Sequence, residues 1–147
     1  MFKMFGKKAG EAKASLKKIE NRNLLEAICA GSVLVMAADG EIEKAETISL
    51  EQIMRANDSV AHFGSEIQTT IQKFTDMVNA GGTTAKIKVM REISDIKNVP
   101  SEAEEAFAVM VDVALADGEI EPAEFKVLEN IARTLGLRLE DFGVQAA

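Results

Sequence analysis

Eight carboxylates in two short stretches are the residues of this chain whose type and spacing point to chemistry. Ala38-Asp39-Gly40-Glu41-Ile42-Glu43-Lys44-Ala45-Glu46 returns 78 residues later as Ala116-Asp117-Gly118-Glu119-Ile120-Glu121-Pro122-Ala123-Glu124, and only Lys44 against Pro122 differs. Asp39, Glu41, Glu43 and Glu46 therefore stand in the same local setting as Asp117, Glu119, Glu121 and Glu124. Hard oxygen donors gathered at a turn suit Ca²⁺, Mg²⁺ or Mn²⁺ better than a thiophilic metal. Unpaired carboxylates on one turn also repel one another, a cost that a divalent ion removes. The spacing is not that of an EF-hand loop, in which Gly follows alternating oxygen ligands; here Gly directly follows the Asp. If the two stretches pack about a two-fold axis, Asp39, Glu46, Asp117 and Glu124 converge on one site.

A purely local reading stands beside this one. Pro122 fits the first position of a helix, which makes Glu121 its N-cap and Glu124 its third residue. By the repeat, Glu43 and Glu46 take the same places. Glutamates there serve as caps in any first helical turn, and Ile42 and Ile120 precede them as candidate hydrophobic staples, Ile120 fitting well with Phe125 and Ile42 poorly with Thr47. Asp39 and Asp117 end the preceding helices, where the helix dipole disfavours an anion by roughly 0.3–1 kcal/mol. Each Asp also has a local use, accepting from free N–H groups at the start of the next helix.

The elements that position these turns read as helical throughout. Residues 7–20 place Ala9, Ala12, Leu16 and Ile19 at helical spacing among lysines. Leu24 to Ala38 is apolar nearly all round, the signature of a buried helix. Further helices are expected over 44–56, with Ile48, Ile53 and Met54 inward; from Ser65 to about Asn79, with Ile67, Ile71, Phe74 and Val78 inward; and over 84–96, with Ile87, Met90 and Ile93 inward. Residues 57–64 read as a short element carrying Val60 and Phe63, and Gly81-Gly82 as a helix break. Ser101 and Glu104 match a capping box for the helix that ends at Ala116. Pro122 to Leu135 is the last long helix, and Leu137 to Phe142 a closing turn. The expected fold is all-α: a compact bundle of seven to eight helices with two pseudo-two-fold-related helix–Asp-Gly–helix hairpins. It divides into a basic amphipathic segment, residues 1–22, and one helical domain, residues 23–147.

Charge and composition bound the function. The chain has 147 residues, a net charge of −7, one cysteine and no Trp or Tyr. Residues 1–22 hold seven basic and two acidic side chains, whereas the rest hold 10 basic and 22 acidic ones. An acidic body is a poor nucleic-acid binder, so cations or protein partners are expected. The basic leader suits anionic lipid, with Phe2, Phe5, Leu16 and Ile19 as apolar anchors. No run is long enough to span a bilayer. A lone Cys29 in the most apolar helix reads as a small core residue in a reducing compartment. His62 has no second strong ligand near it in sequence, and Gly81-Gly82 lacks the Lys-Ser/Thr of a phosphate loop. No catalytic residues are assigned.

The Ala-Asp-Gly helix ends with Glu seven residues after each Asp, and the tail Ile131-Ala132-Arg133-Thr134-Leu135-Gly136-Leu137 before Glu140-Asp141-Phe142-Gly143, resemble the TerB family of tellurite-resistance proteins over roughly residues 20–143. The resemblance implies an all-helical bundle and a cytoplasmic role in tellurite or general stress resistance, peripheral at the membrane with partner proteins. It also implies a divalent metal on Asp39, Glu46, Asp117 and Glu124, with Glu41, Glu43, Glu119 and Glu121 as outer candidates.

Overall fold

In a computed structural model, residues 21–145 are described. They form six α-helices: α1 Arg22–Met36, α2 Lys44–Arg55, α3 Glu66–Ala80, α4 Gly82–Ser94, α5 Pro100–Leu115 and α6 Pro122–Leu135. Short 3₁₀ turns occupy Ala37–Asp39, Ala61–Phe63 and Leu139–Phe142, and no strand occurs among the described residues. The all-α expectation holds, with six helices among the described residues against seven to eight anticipated for the whole chain; the short element expected over 57–64 is a single turn at Ala61–Phe63. The helix expected over residues 7–20, and the lipid docking assigned to that leader, lie outside the described residues.

Helix α1 is the hub. Leu24, Leu25, Ile28, Val33, Val35 and Met36 are buried around its circumference, each burial contributing about 1.5–3 kcal/mol. Helices α3, α4, α5 and α6 all pack on it. Gly31 lets α5 come close, since a Cβ there would overlap the buried Met110 thioether. Cys29 is fully buried with Sγ 3.7 Å from the Met54 sulfur, and burial pushes its thiol far above the usual range. Phe142 meets Phe107 edge-on at 4.9 Å, closing the C-terminal turn onto α5.

Three local expectations are corrected. Ile48 and Ile87 are about half exposed, 49% and 48%. Each lies two residues from a buried neighbour, Leu50 and Val89, and so about 200° around the helix from the inward face. The inward faces are set instead by Leu50 and Met54, and by Val89 and Ile93. Ser101 is not an N-cap. Pro100 takes the first helical position and Val99 the cap, with extended ψ 91°, as the residue before proline prefers.

Two buried features carry stability consequences. The Ser32 hydroxyl on α1 is fully buried and has no hydrogen-bond partner among the described residues. An unsatisfied buried hydroxyl costs about 1–3 kcal/mol, and Ala is the better helix former. Ser32→Ala is therefore expected to raise unfolding free energy by about 1 kcal/mol or more, read from urea denaturation; a lower midpoint would show that the hydroxyl is satisfied.

Across the α1–α4 seam, partial burial, then a hydrogen bond and repulsion from Glu26, then Asp95, push the Glu92 carboxyl up to about 7, against the pull of Lys73 on α3. The unfolded chain releases that proton near the ordinary 4.5. Between these two values the folded state binds more protons than the unfolded one, so stability falls as pH rises. Glu92→Gln should raise the melting temperature at pH 8 and lose that advantage by about pH 4.5, where wild-type Glu92 is also neutral. An equal gain at both pH values would remove the titration as its cause.

Candidate functional site

Both Asp-Gly turns are built alike. Gly40 and Gly118 have φ of 103° and 97°, a region that other L-residues rarely enter. Each glycine N–H closes the turn on the carbonyl three residues back, Ala37 at 3.0 Å and Leu115 at 2.8 Å. Beyond the turn the chain runs extended into Glu43 and Glu121, the N-caps of α2 and α6. Glu46 and Glu124 are the third helical residues and complete capping boxes. Their Oε1 atoms accept from the N–H of Glu43 and Glu121, both at 3.0 Å. The frame that Pro122 implied holds in both copies, and the capping role is present in both. Asp39 Oδ1 accepts from the Glu41 N–H at 3.2 Å, within the turn and before the first helical residue. Ile42 and Ile120 are partly buried against the core.

The hairpins also converge. α1 and α5 pack side by side, α2 packs on α5, and the Ala37–Asp39 turn packs on α6. A cleft of about 240 Å³ is lined by Asp39, Glu43, Glu46 and Ser49 from the first hairpin and by Val113 and Asp117 from the second. The electrostatics cross between the copies. Partial burial raises the Glu46 carboxyl, its cap hydrogen bond lowers it, and Asp39, Glu43 and Asp117 raise it further. Glu124 is raised by burial, lowered by its cap, and raised again by Glu121, Asp117 and Asp39. Asp39, Glu46, Asp117 and Glu124 thus share one field; Glu43 lines the cleft with the first three, whereas Glu121 and Glu124 do not line it. Glu41 and Glu119 are exposed and neither lines this cleft nor shifts those two carboxyls.

The side chains do not close on a single point. Among the described residues, no three carboxylate, imidazole or thiol groups form a shell that holds a metal ion. His62 is part-buried far along the chain, its ring 4.3 Å from that of Phe63. No helix among the described residues is long and apolar enough to cross a membrane.

Against models of known families, residues 25–146 match the one described as "Tellurite resistance protein TerB". The chain belongs to the TerB family. The match takes in both acidic hairpins and every helix from α1 to α6 save the first turn of α1. No curated protein and no solved structure matches the chain. The TerB assignment therefore rests on the family pattern and on the fold, with the duplicated hairpin inside it.

A feature missed in the sequence lies on the other side of α6. Lys86 and Met90 on α4 face Lys126 and Val127 on α6 across a groove floored by Leu34, and Ile87 lines its continuation with Thr134. Ile87 had been assigned to the core; its exposure is the signal that this face is open.

Electrostatic crowding in the cleft gives a direct expectation. Asp117 raises both Glu46 and Glu124, so Asp117→Asn should increase the melting temperature of the metal-free protein at pH 7. Both glutamates have raised values, so the repulsion vanishes as they protonate, and the gain should shrink on acidification. It should shrink also in about 1 M salt, where screening falls to about 3 Å. Unchanged melting at low salt would mean that the carboxylates do not sense one another.

Proposed function

We propose that this TerB-family chain is a non-catalytic, cytoplasmic tellurite- and stress-resistance module that binds a divalent cation at its paired acidic turns and acts through partner proteins. The observation that carries the reading is the crossed field: Asp117 of one hairpin acts on Glu46 of the other, and Asp39 on Glu124. Two chain segments far apart in sequence deliver anions to one cleft without a cation among its lining residues. Local structure explains Glu46 and Glu124 as caps and gives Asp39 a turn hydrogen bond from the Glu41 N–H, but that bond needs only an acceptor, not a charge at an unfavourable helix end.

The donor chemistry fits a hard cation. The groups are carboxylates alone, with the Ser49 hydroxyl beside them, and no thiol or imidazole lines the cleft. That set favours Ca²⁺, Mg²⁺ or Mn²⁺. Asp39, Glu46, Asp117 and Glu124 would hold the ion, and its charge would cancel their mutual repulsion. Since they form no shell at rest, binding requires these side chains to draw in. A weak, flexible-ligand site suits Ca²⁺ better than Mg²⁺, which demands rigid octahedral geometry. Glu46 and Glu124 each commit Oε1 to a backbone N–H, so a metal bond through the second oxygen leaves the caps intact.

Thermal unfolding against increasing Ca²⁺, Mg²⁺ and Mn²⁺ tests the reading. A cation that binds only the folded chain stabilises it by about 2.7 kcal/mol at a hundredfold excess over Kd. We expect a saturable rise in melting temperature with one of these ions, abolished in Asp39→Asn/Asp117→Asn. A melting temperature indifferent to all three would sink the metal site and leave the turns as caps and partner contacts.

A further inference from the structure

We propose that the groove between α4 and α6 docks an acidic amphipathic helix of a partner protein. It lies apart from the acidic cleft and does not depend on metal being bound there. Three cavities, of about 440, 250 and 420 Å³, run into one another. The first and second share Leu34, Lys86 and Val127, and the second and third share Lys86 and Met90. Together they outline a shallow groove that starts beside the Gly40 turn and opens onto a nearly flat surface along α4 toward Ser94. Its wall is apolar where Leu34, Val127 and Met90 line it, and Ile87 stands 48% exposed at its edge.

Charge identifies the occupant. Residues 23–147 hold 22 acidic side chains against 10 basic ones, yet no Asp or Glu lines any of the three cavities, whereas Lys86, Arg91 and Lys126 do. None of these three cations is in an ion pair among the described residues. Apolar anchors flanked by unneutralised cations complement a helix with apolar residues at i, i+3, i+4 and i+7 and acidic residues beside them. The chain's own leader is the wrong sign: residues 1–20 carry six lysines against two glutamates. The recessed part lined by Leu34, Met90 and Val127 takes up the apolar anchors of a helix, whereas a lipid surface is met by protruding apolar side chains and cations. Asp39 and Glu41 flank the hairpin end without lining it, so the acidic part of the helix lies toward Lys86, Arg91 and Lys126.

A displayed library of amphipathic helices tests this. Each member has roughly 16 residues, about 24 Å of helix, with leucines fixed at the apolar spacing and the other positions drawn from Glu, Lys and Ser. The full chain is the bait. Selected peptides should be enriched in Glu beside the leucines. The best of them, measured by fluorescence anisotropy, should bind Lys86→Glu/Lys126→Glu at least tenfold more weakly and Ile87→Ser more weakly than wild type. Both substitutions fall on exposed side chains, and circular dichroism checks that the variants fold. Asp39→Asn/Asp117→Asn should bind the peptide as wild type does, which separates this outcome from the fate of the metal reading. Neutral or basic selected peptides, no enrichment, or binding indifferent to the Lys86/Lys126 reversal would overturn the proposal. So would adherence to phosphatidylserine vesicles through Lys86 and Lys126 with no peptide selected, which would make the surface a lipid contact.

Discussion

Everything in this bundle follows from a helix with no outward face. α1 buries side chains all round, so α3, α4, α5 and α6 must each supply a wall for it. The amphipathic helices have one apolar stripe and can satisfy only one neighbour well; α1 gives each of them the same neighbour. Gly31 brings α5 to the closest approach, with the Met110 thioether filling the space where a Cβ would stand. That contact aligns the two helices that end in Asp-Gly. Once α1 and α5 lie together, their turns are brought to one cleft, and the duplicated carboxylates meet as a consequence of core packing.

The meeting costs stability, and the local structure limits the cost without removing it. Each capping glutamate gains a backbone N–H and the favourable end of a helix dipole. Each is nonetheless raised, because burial and the other carboxylates outweigh the cap. The turn uses Asp39 only as an acceptor for the Glu41 N–H, a bond that Asn or Ser before the glycine would also make without the charge. The excess negative charge is therefore the part of the hairpin that local folding does not account for.

The local geometry of the hairpins was readable in the sequence because proline and glycine constrain the backbone directly. Pro122 set the helical frame, the repeat carried it to Glu43 and Glu46, and Gly40 and Gly118 marked left-handed turns. The buried character of α1 was equally legible, since an apolar run without a polar stripe has nowhere to face but inward. Met54 and Ile93 were placed inward correctly, and the errors fell on Ile48 and Ile87 in the same helices. Ile48 and Ile87 are apolar but off the stripe defined by Leu50 and Met54, and by Val89 and Ile93. Ser101 failed as a cap because Pro100 takes the first helical position, which moves the cap back by two residues to Val99. Convergence of the two turns depends on which helices pack together, and no local pattern encodes that choice. The α4–α6 groove was illegible for the same reason: its cations and its floor come from three separate helices.

The two exposed features divide the charge of the molecule between them. The turn cleft concentrates anions from two hairpins, and the α4–α6 groove carries cations with no anion among its lining residues. In a chain of net charge −7, a carboxylate-free groove is the less expected of the two. The apolar floor explains why separation matters here. Ion pairs across the rim would neutralise Lys86, Arg91 and Lys126 and leave an apolar groove with no means of selecting among apolar ligands. Unpaired, the three cations make the groove discriminate by sign, since a like-charged partner is repelled at its rim while an acidic one is drawn in. The first Asp-Gly turn links the two surfaces physically, with Asp39 lining the cleft and Gly40 the groove. The groove's hairpin end is flanked by Asp39 and Glu41, and its cations lie farther along it, at Lys86, Lys126 and Arg91, so an acidic partner is oriented end to end by the groove as well as drawn into it.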